Sequence, residues 1–200
     1  MKMTFFKKLS ILIISASALA FSTMPNAGCI PTQHDVEGPY YLPGAPFRTV
    51  IANPDEPGER LIIKGTISGP DCTTPLPRAL VEVWQTDAGG AYYYEDKGYR
   101  LRGQLRSDKN GNYEFQTIKP GRYRIGDLGY RPAHIHIKVS HPGYTTLVTQ
   151  IYFSGDLFLW PNDACGSGCR SNDPERIIGL SDGKGRGTEG TFDIILETKK

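Results

Sequence analysis

Apolar and polar residues alternate with a two-residue period along several short stretches of the chain, and turn-forming residues separate them. The sharpest alternation is Ala133-His134-Ile135-His136-Ile137-Lys138-Val139, where Ala133, Ile135, Ile137 and Val139 share one face and His134 and His136 share the other. Pro132 stands just before it, where a strand tolerates a proline. Further strands are predicted over residues 61–67, 79–85, 100–106, 112–118, 145–153 and 191–196. Gly69-Pro70-Asp71, Asp108-Lys109-Asn110-Gly111, Lys119-Pro120-Gly121 and His141-Pro142-Gly143 supply turns between them. No stretch after the first twenty residues keeps a 3.6-residue apolar period, so the pattern predicts an all-β domain, an antiparallel β-sandwich or barrel, over residues 60–200. Repeated prolines make residues 21–59 an extended arm laid over that domain. Residues 154–190, rich in Gly, Asp and Ser, are expected to form an irregular surface excursion.

The beginning of the chain has a different texture. Lys2, Lys7 and Lys8 precede an apolar run that ends in the small residues Ala18-Leu19-Ala20, which marks residues 1–20 as a secretory signal peptide and the protein as exported, periplasmic or secreted. The run is shorter than a membrane span needs, so no span is expected after its removal. Ala27-Gly28-Cys29 has the small residues of a lipidation signal, but Asn26 stands where such a signal normally carries Leu, and plain export is the favoured reading. Removing the leader takes away three of the 23 basic residues and no acid, which turns the formal charge of +2 into −1. No basic run remains to serve as a nucleic-acid footprint. Four cysteines remain, Cys29, Cys72, Cys165 and Cys169. In an oxidising compartment an even count reads as disulfides, with a local Cys165–Cys169 bridge favoured and Cys29 left to pair with Cys72 if it is not lipidated.

Two imidazoles at i and i+2 on one strand face can chelate a single ion, because the sheet sets their separation in advance. An isolated pair of this kind equally suits the outer face of a half-buried strand. The only other histidines are His34 and His141, so an ion on His134 and His136 needs further donors of another kind. There is no His-Glu-x-x-His helix to suggest a zinc hydrolase. Tyrosines crowd the centre of the chain: Tyr92, Tyr93, Tyr94, Tyr99, Tyr113, Tyr123 and Tyr130. A phenolate is a hard anionic oxygen donor that favours Fe(III). Strand alternation alone leaves Tyr92 and Tyr94 as rivals.

Several ordered motifs resemble the intradiol ring-cleavage dioxygenases, the group of protocatechuate 3,4-dioxygenase and catechol 1,2-dioxygenase. They are Glu37-Gly38-Pro39-Tyr40, the run from Val81 through Trp84 and Gly89-Gly90-Ala91 to Tyr92, Leu101-Arg102-Gly103, Pro120-Gly121-Arg122-Tyr123, Arg131-Pro132-Ala133-His134-Ile135-His136 and Thr149-Gln150-Ile151-Tyr152-Phe153. The resemblance implies the intradiol type of β-sandwich and a mononuclear non-haem Fe(III) held by Tyr92, Tyr123, His134 and His136, with the Gly-Gly-Ala-Tyr spacing choosing Tyr92. It implies that Arg131 lies beside the substrate, that Gln150 supports the site, and that Trp84 and Tyr40 line the substrate pocket. The implied partners are a catechol-type diol and O2, and the implied product is a cis,cis-muconate-type diacid. A homo-oligomer is left open. Tyr123 and His134 are joined through the compact loop Arg124 to Tyr130, which is closer to the protocatechuate type. Two competing readings remain: a secreted, non-catalytic β-sandwich binding module, and a cupin-type Fe(II) oxygenase built on the His-x-His pair.

Overall fold

The computed structural model describes residues 29–93 and 98–200. The expected leader and Tyr94 lie outside them. Two five-stranded sheets face each other across one core. The first is built on β1 (Arg60–Ser68), which pairs antiparallel with β4 (Asn112–Ile118) on one edge. The other edge of β1 takes β11 (Thr188–Thr191) and β12 (Ile194–Ile195) end to end and parallel, and β10 (Leu180–Asp182) adds to β11. The second sheet runs in the order β3 (Arg102–Arg106), β2 (Leu80–Gln85), β7 (His134–Ser140), β8 (Leu147–Phe153) and β9 (Ile177–Ile178). A small hairpin of β5 (Tyr123–Arg124) and β6 (Tyr130–Arg131) stands apart. The fold is therefore the expected all-β sandwich, but its sheets are mixed. The chain leaves β8 on a long excursion, so its return strands enter in parallel with β8 and β1.

Alternation decides which residues make the core. Leu61, Ile63 and Ile67 of β1 and Tyr113 and Phe115 of β4 meet Val81 and Val83 of β2, Ile135, Ile137 and Val139 of β7, and Ile151 and Phe153 of β8. Burial at about 25 cal/mol per Å2 of apolar surface makes this layer the main source of stability. Ile137 is fully buried, and Ile137→Ala is expected to cost about 2–5 kcal/mol, read as a lower denaturant midpoint with an unchanged slope.

The outer face of the second sheet is also buried. Register places Arg102, Trp84, His136 and Gln150 in one row across β3, β2, β7 and β8, with His134 opposite Tyr152 in the next. The arm covers this face. Its amide at Asp35 bonds to the Val148 carbonyl, Gln150 Nε2 donates to the Val36 carbonyl, and Arg102 donates to the Tyr40 carbonyl. The later part of the arm is part of the domain itself, since Ile51 packs into the main core and the Ile51 amide bonds to Gln116. The structure pairs Cys29 with Cys72, which fastens the start of the arm, and Cys165 with Cys169. A lipid thioether at Cys29 and this bridge are mutually exclusive.

Candidate metal centre

His134 and His136 project from the outer face of β7 with ring centroids 4.9 Å apart. The carbonyl of Pro132 lies 2.7 Å from His134 Nδ1 and can only accept, so Nδ1 carries the proton and Nε2 presents its lone pair. That Nε2 faces the Tyr92 hydroxyl at 3.4 Å. The His136 ring is stacked on Trp84 at 4.8 Å between centroids and 7° between planes, and a side chain at Gly38 would press on its Cε1 atom at 3.3 Å. His136 Nδ1 is buried and has no hydrogen-bond partner.

The two tyrosines arrive on loops that lock into each other. Asp87 Oδ1 accepts from the amides of Gly89 and Ala91 and folds the loop after β2, while the Asp87 carbonyl accepts from the Gly121 amide. Gly90 has φ +90°, and a Cβ there would sit 2.2 Å from the Arg122 carbonyl. A Cβ at Gly121 would sit 2.4 Å from the Ala88 carbonyl. Only glycines permit this approach of two backbones. It fixes the rings of Tyr92 and Tyr123 at 5.7 Å, with Tyr123 5.7 Å from His134 and Tyr92 6.3 Å from His136. Tyr40, delivered by the arm, stacks on Tyr92 at 4.2 Å. Gly90→Ala is accordingly expected to separate the two loops, lowering metal content and Tm together.

Tyr93 turns away from this cluster. Its hydroxyl donates to Asp87 Oδ2 at 2.7 Å and Arg100 lies over its ring. Residues 91–93 form a loop rather than a strand, so loop hydrogen bonds, not strand alternation, orient Tyr92 and Tyr93 oppositely. The expectation that Trp84 lines the open pocket needs correction. In register with His136 and covered by Tyr41 at 5.0 Å, its ring backs the histidine from within the protein. The open cavity, about 500 Å3, is lined by Tyr40, Gly90, Tyr92, Arg122, Tyr123 and Arg124, among others.

Arg131 is 3% exposed and lies near enough to Tyr123 for its charge to pull the phenol down. Its guanidinium donates to Asp163 Oδ1 at 3.1 Å, Gln150 Oε1 at 3.0 Å and the Tyr152 hydroxyl at 3.1 Å. Tyr152 contacts Asp35, which pairs with the fully buried Arg176. Sequence reading marked Arg131 and Gln150 but missed Asp163, Tyr152, Asp35, Arg176 and Arg102. The last holds the arm and the Tyr93 carbonyl in place.

Burial sets the protonation states. It pushes the Tyr92 phenol far up, with the neighbouring Tyr123 adding to the rise, and it raises Tyr123 against the opposing pull of Arg131. Burial, then the Arg131 charge, lowers His134 to about 3. Burial, then His134 and Arg131, holds His136 well below its ordinary value. Both folded-state imidazoles thus titrate below the ordinary value of 6.5, and the unfolded chain takes up these protons first as pH falls. The His134 contribution is complete above about pH 6.5 and is lost progressively towards about pH 3, and that of His136 falls in the same direction as pH drops below its ordinary value. In this window the metal-free protein is expected to lose on the order of 1 kcal/mol per imidazole per pH unit, measured by urea unfolding.

The residues fit a hard, highly charged cation. Two imidazoles are held neutral with lone pairs available, and two phenols meet them. Among the described residues no three His, Cys, Asp or Glu side chains gather, and the side chains that meet these imidazoles are the phenols of Tyr92 and Tyr123. That donor set suits Fe(III) rather than a soft or weakly charged ion.

A family model described as "Dioxygenase" matches residues 36–198. The chain belongs to the intradiol ring-cleavage dioxygenase family. Among intradiol relatives it is 39% identical over 152 residues to catechol 1,2-dioxygenase 2 of Acinetobacter lwoffii, covering 66% of this chain and 55% of that one. It is 33% identical over 194 residues to catechol 1,2-dioxygenase of Acinetobacter baylyi, covering 82% and 62%. The dioxygenase domain of a carbohydrate-binding fusion protein from the cellulolytic bacterium Streptomyces sp. SirexAA-E superposes with a TM-score of 0.71 at 34% identity, covering 85% of this chain and 100% of that one. Catechol 1,2-dioxygenase of Acinetobacter radioresistens gives 0.76 at 27% identity, covering 85% and 63%. The chain spans about half to three-fifths of the length of the curated relatives it matches. The intradiol family typically uses non-haem Fe(III). Among the described residues no helix is long and apolar enough to cross a membrane.

Proposed function

We propose that the protein is an Fe(III)-dependent intradiol dioxygenase that cleaves a catechol-type diol between its two hydroxyl-bearing carbons, placing both atoms of O2 in a cis,cis-muconate-type diacid. The observation that carries this reading is the convergence of Tyr92, Tyr123, His134 and His136 around one point, with Arg131 against Tyr123. In it, Tyr92, Tyr123, His134 and His136 hold the ion. Bound there, Fe(III) supplies a Lewis acid that withdraws electron density from the diol and opens a ring carbon to O2.

The chain's own residues do the rest. Tyr92 is the permanent anionic donor, its ring pinned by the stacked Tyr40. Tyr123 would be the second phenolate donor, and its oxygen is the group that would take up a proton from the incoming diol. Arg131 stays within reach of that oxygen and its charge stabilises negative charge developing on the ring. The buried rings of Trp84 and His136 and the covering arm keep water from the inner wall. Tyr123→Phe is expected to alter the visible spectrum of the resting protein strongly and that of the substrate complex little.

The test is oxygen uptake by iron-loaded protein with catechol, protocatechuate and hydroxyquinol as separate substrates. One O2 consumed per diol, with a muconate-type product, is expected. A semialdehyde from cleavage outside the two hydroxyls, or no turnover with any of the three, defeats the reading. Residues 1–20 are read as the export leader, in keeping with two disulfides, which persist in oxidising compartments. The mature N-terminus, determined by mass spectrometry after expression with the leader, checks this.

A further inference from the structure

The loop closed by the Cys165–Cys169 disulfide reaches directly to the arginine of the candidate site. Asp163, two residues before the bridge, has a side chain with no exposure, and its partner Arg131 is exposed by only 3% on its own side chain. Asp163 Oδ1 accepts from Arg131 Nε at 3.1 Å and from the Cys165 amide at 2.9 Å. The Asp163 carbonyl accepts from the Gly166 amide, and the Ala164 amide bonds to the Tyr130 carbonyl, next to Arg131 in β6. At the other end of the bridge, the Cys169 carbonyl accepts from the Tyr152 hydroxyl, which also contacts Arg131. The disulfide thus joins two groups that grip one guanidinium from different sides. Asp163 Oδ2 is buried without a partner, a cost that a merely structural surface loop has no reason to carry.

We propose that Asp163 is a positioning residue for the reaction: with the Cys165–Cys169 bridge as its clasp, it fixes the guanidinium of Arg131 beside Tyr123 and the reacting ring. This deepens the reading of the site as an intradiol centre and rests on it. Gln150 and Tyr152 present only neutral oxygens to Arg131, so among the described residues Asp163 is the one carboxylate hydrogen-bonded to it and sets both direction and charge balance. Without it the guanidinium is free to turn away from Tyr123 and the reacting ring, and its charge no longer meets the charge that develops there.

The experiment compares wild type, Asp163→Ala, Asp163→Asn and the double variant Cys165→Ser/Cys169→Ser, all as iron-loaded full-length protein, with kcat expressed per bound iron. Asp163→Ala is expected to lower kcat about 10- to 100-fold with a smaller change in KM, while iron content and the resting visible band stay as in wild type. Asp163→Asn keeps an acceptor oxygen for Arg131 Nε and for the Cys165 amide and should lie between the two. The cysteine variant should follow Asp163→Ala in direction with a smaller loss, whereas Cys29→Ser/Cys72→Ser should keep wild-type kcat per iron. If Asp163→Asn and the Cys165/Cys169 variant both match wild type in kcat and KM per iron, the inference is overturned. It is also overturned if their losses vanish once activity is divided by iron content, because that outcome assigns the loop a structural role alone. Failure of the wild type itself to bind iron or to turn over a diol sinks the intradiol reading instead, so the two failures are told apart.

Discussion

Replacing Tyr92 with phenylalanine is expected to remove most of the visible colour of the iron-loaded protein and to reduce turnover by at least ~100-fold. The ring of Tyr92 is held between Tyr40 and the imidazole of His134, so the substitution deletes one oxygen and little packing. What disappears is an anionic donor that the account keeps on the metal throughout the reaction. Tyr93→Phe is the matched control. It breaks a 2.7 Å hydrogen bond to Asp87 on the far side of the loop and should keep both colour and most activity. Tyr94→Phe, at a position outside the described residues, is expected to keep them as well. Bleaching by Tyr94→Phe with colour retained in Tyr92→Phe would move the donor by two residues and refute the assignment.

The largest stability effect is expected from Arg176→Leu. Arg176 is fully buried and is held by Asp35, Asp173 and the Arg170 carbonyl. Removing one side of a buried ion pair leaves the other charge uncompensated, which typically costs about 3–5 kcal/mol. For a protein of this size that corresponds to a Tm lower by roughly 10 °C. Burial already raises the Asp35 carboxyl above its ordinary value, so part of the cost is relieved if Asp35 takes up a proton. The double variant Asp35→Asn/Arg176→Leu, with Asp35→Asn as the second single variant, should therefore recover part of the loss in a double-mutant cycle. Calorimetry of the metal-free proteins reads this directly, and an Arg176→Leu melting point within 2–3 °C of wild type, on the order of one kcal/mol or less, would show the network to be of little consequence.

The period-two pattern was enough to place β1, β2, β4, β7 and β8 and the core they share, because each carries its apolar residues on one face. The sandwich followed from that. The same pattern could not see β9, β10 and β11 inside the excursion, since strands of two to four residues with glycine among them have no period to read. Nor could it show that the excursion is partly interior. Asp163, Ser171 and Arg176 are buried there, and a polar residue declares its burial only through partners distant in sequence. At the site, His134 and His136 were legible from alternation, while Tyr92 and Tyr123 emerged only from motif resemblance. The structure supplies the physical reason for those motifs. Gly90 and Gly121 are where two backbones touch, and Asp87 ties both loops together. Arg131 and Gln150 were found as single residues, and their network was not, because Asp163 and Tyr152 join them through tertiary contact alone.

The compact loop between Tyr123 and His134 suggested the protocatechuate type, yet several of the similar curated proteins are named for catechol, chlorocatechol and 6-chlorohydroxyquinol. Loop length therefore does not choose the ring substituent, and competition among the three diols under identical iron loading does.

The central claim is that two phenolates and two imidazoles of this chain hold one ferric ion. Resonance Raman spectroscopy of the iron-loaded protein, excited within its visible absorption band, tests it most directly. One iron per chain is expected, with tyrosinate ring modes that weaken in Tyr92→Phe and are unchanged in Tyr93→Phe. Full iron occupancy in a colourless protein, or tyrosinate modes indifferent to Tyr92→Phe and Tyr123→Phe alike, would contradict it.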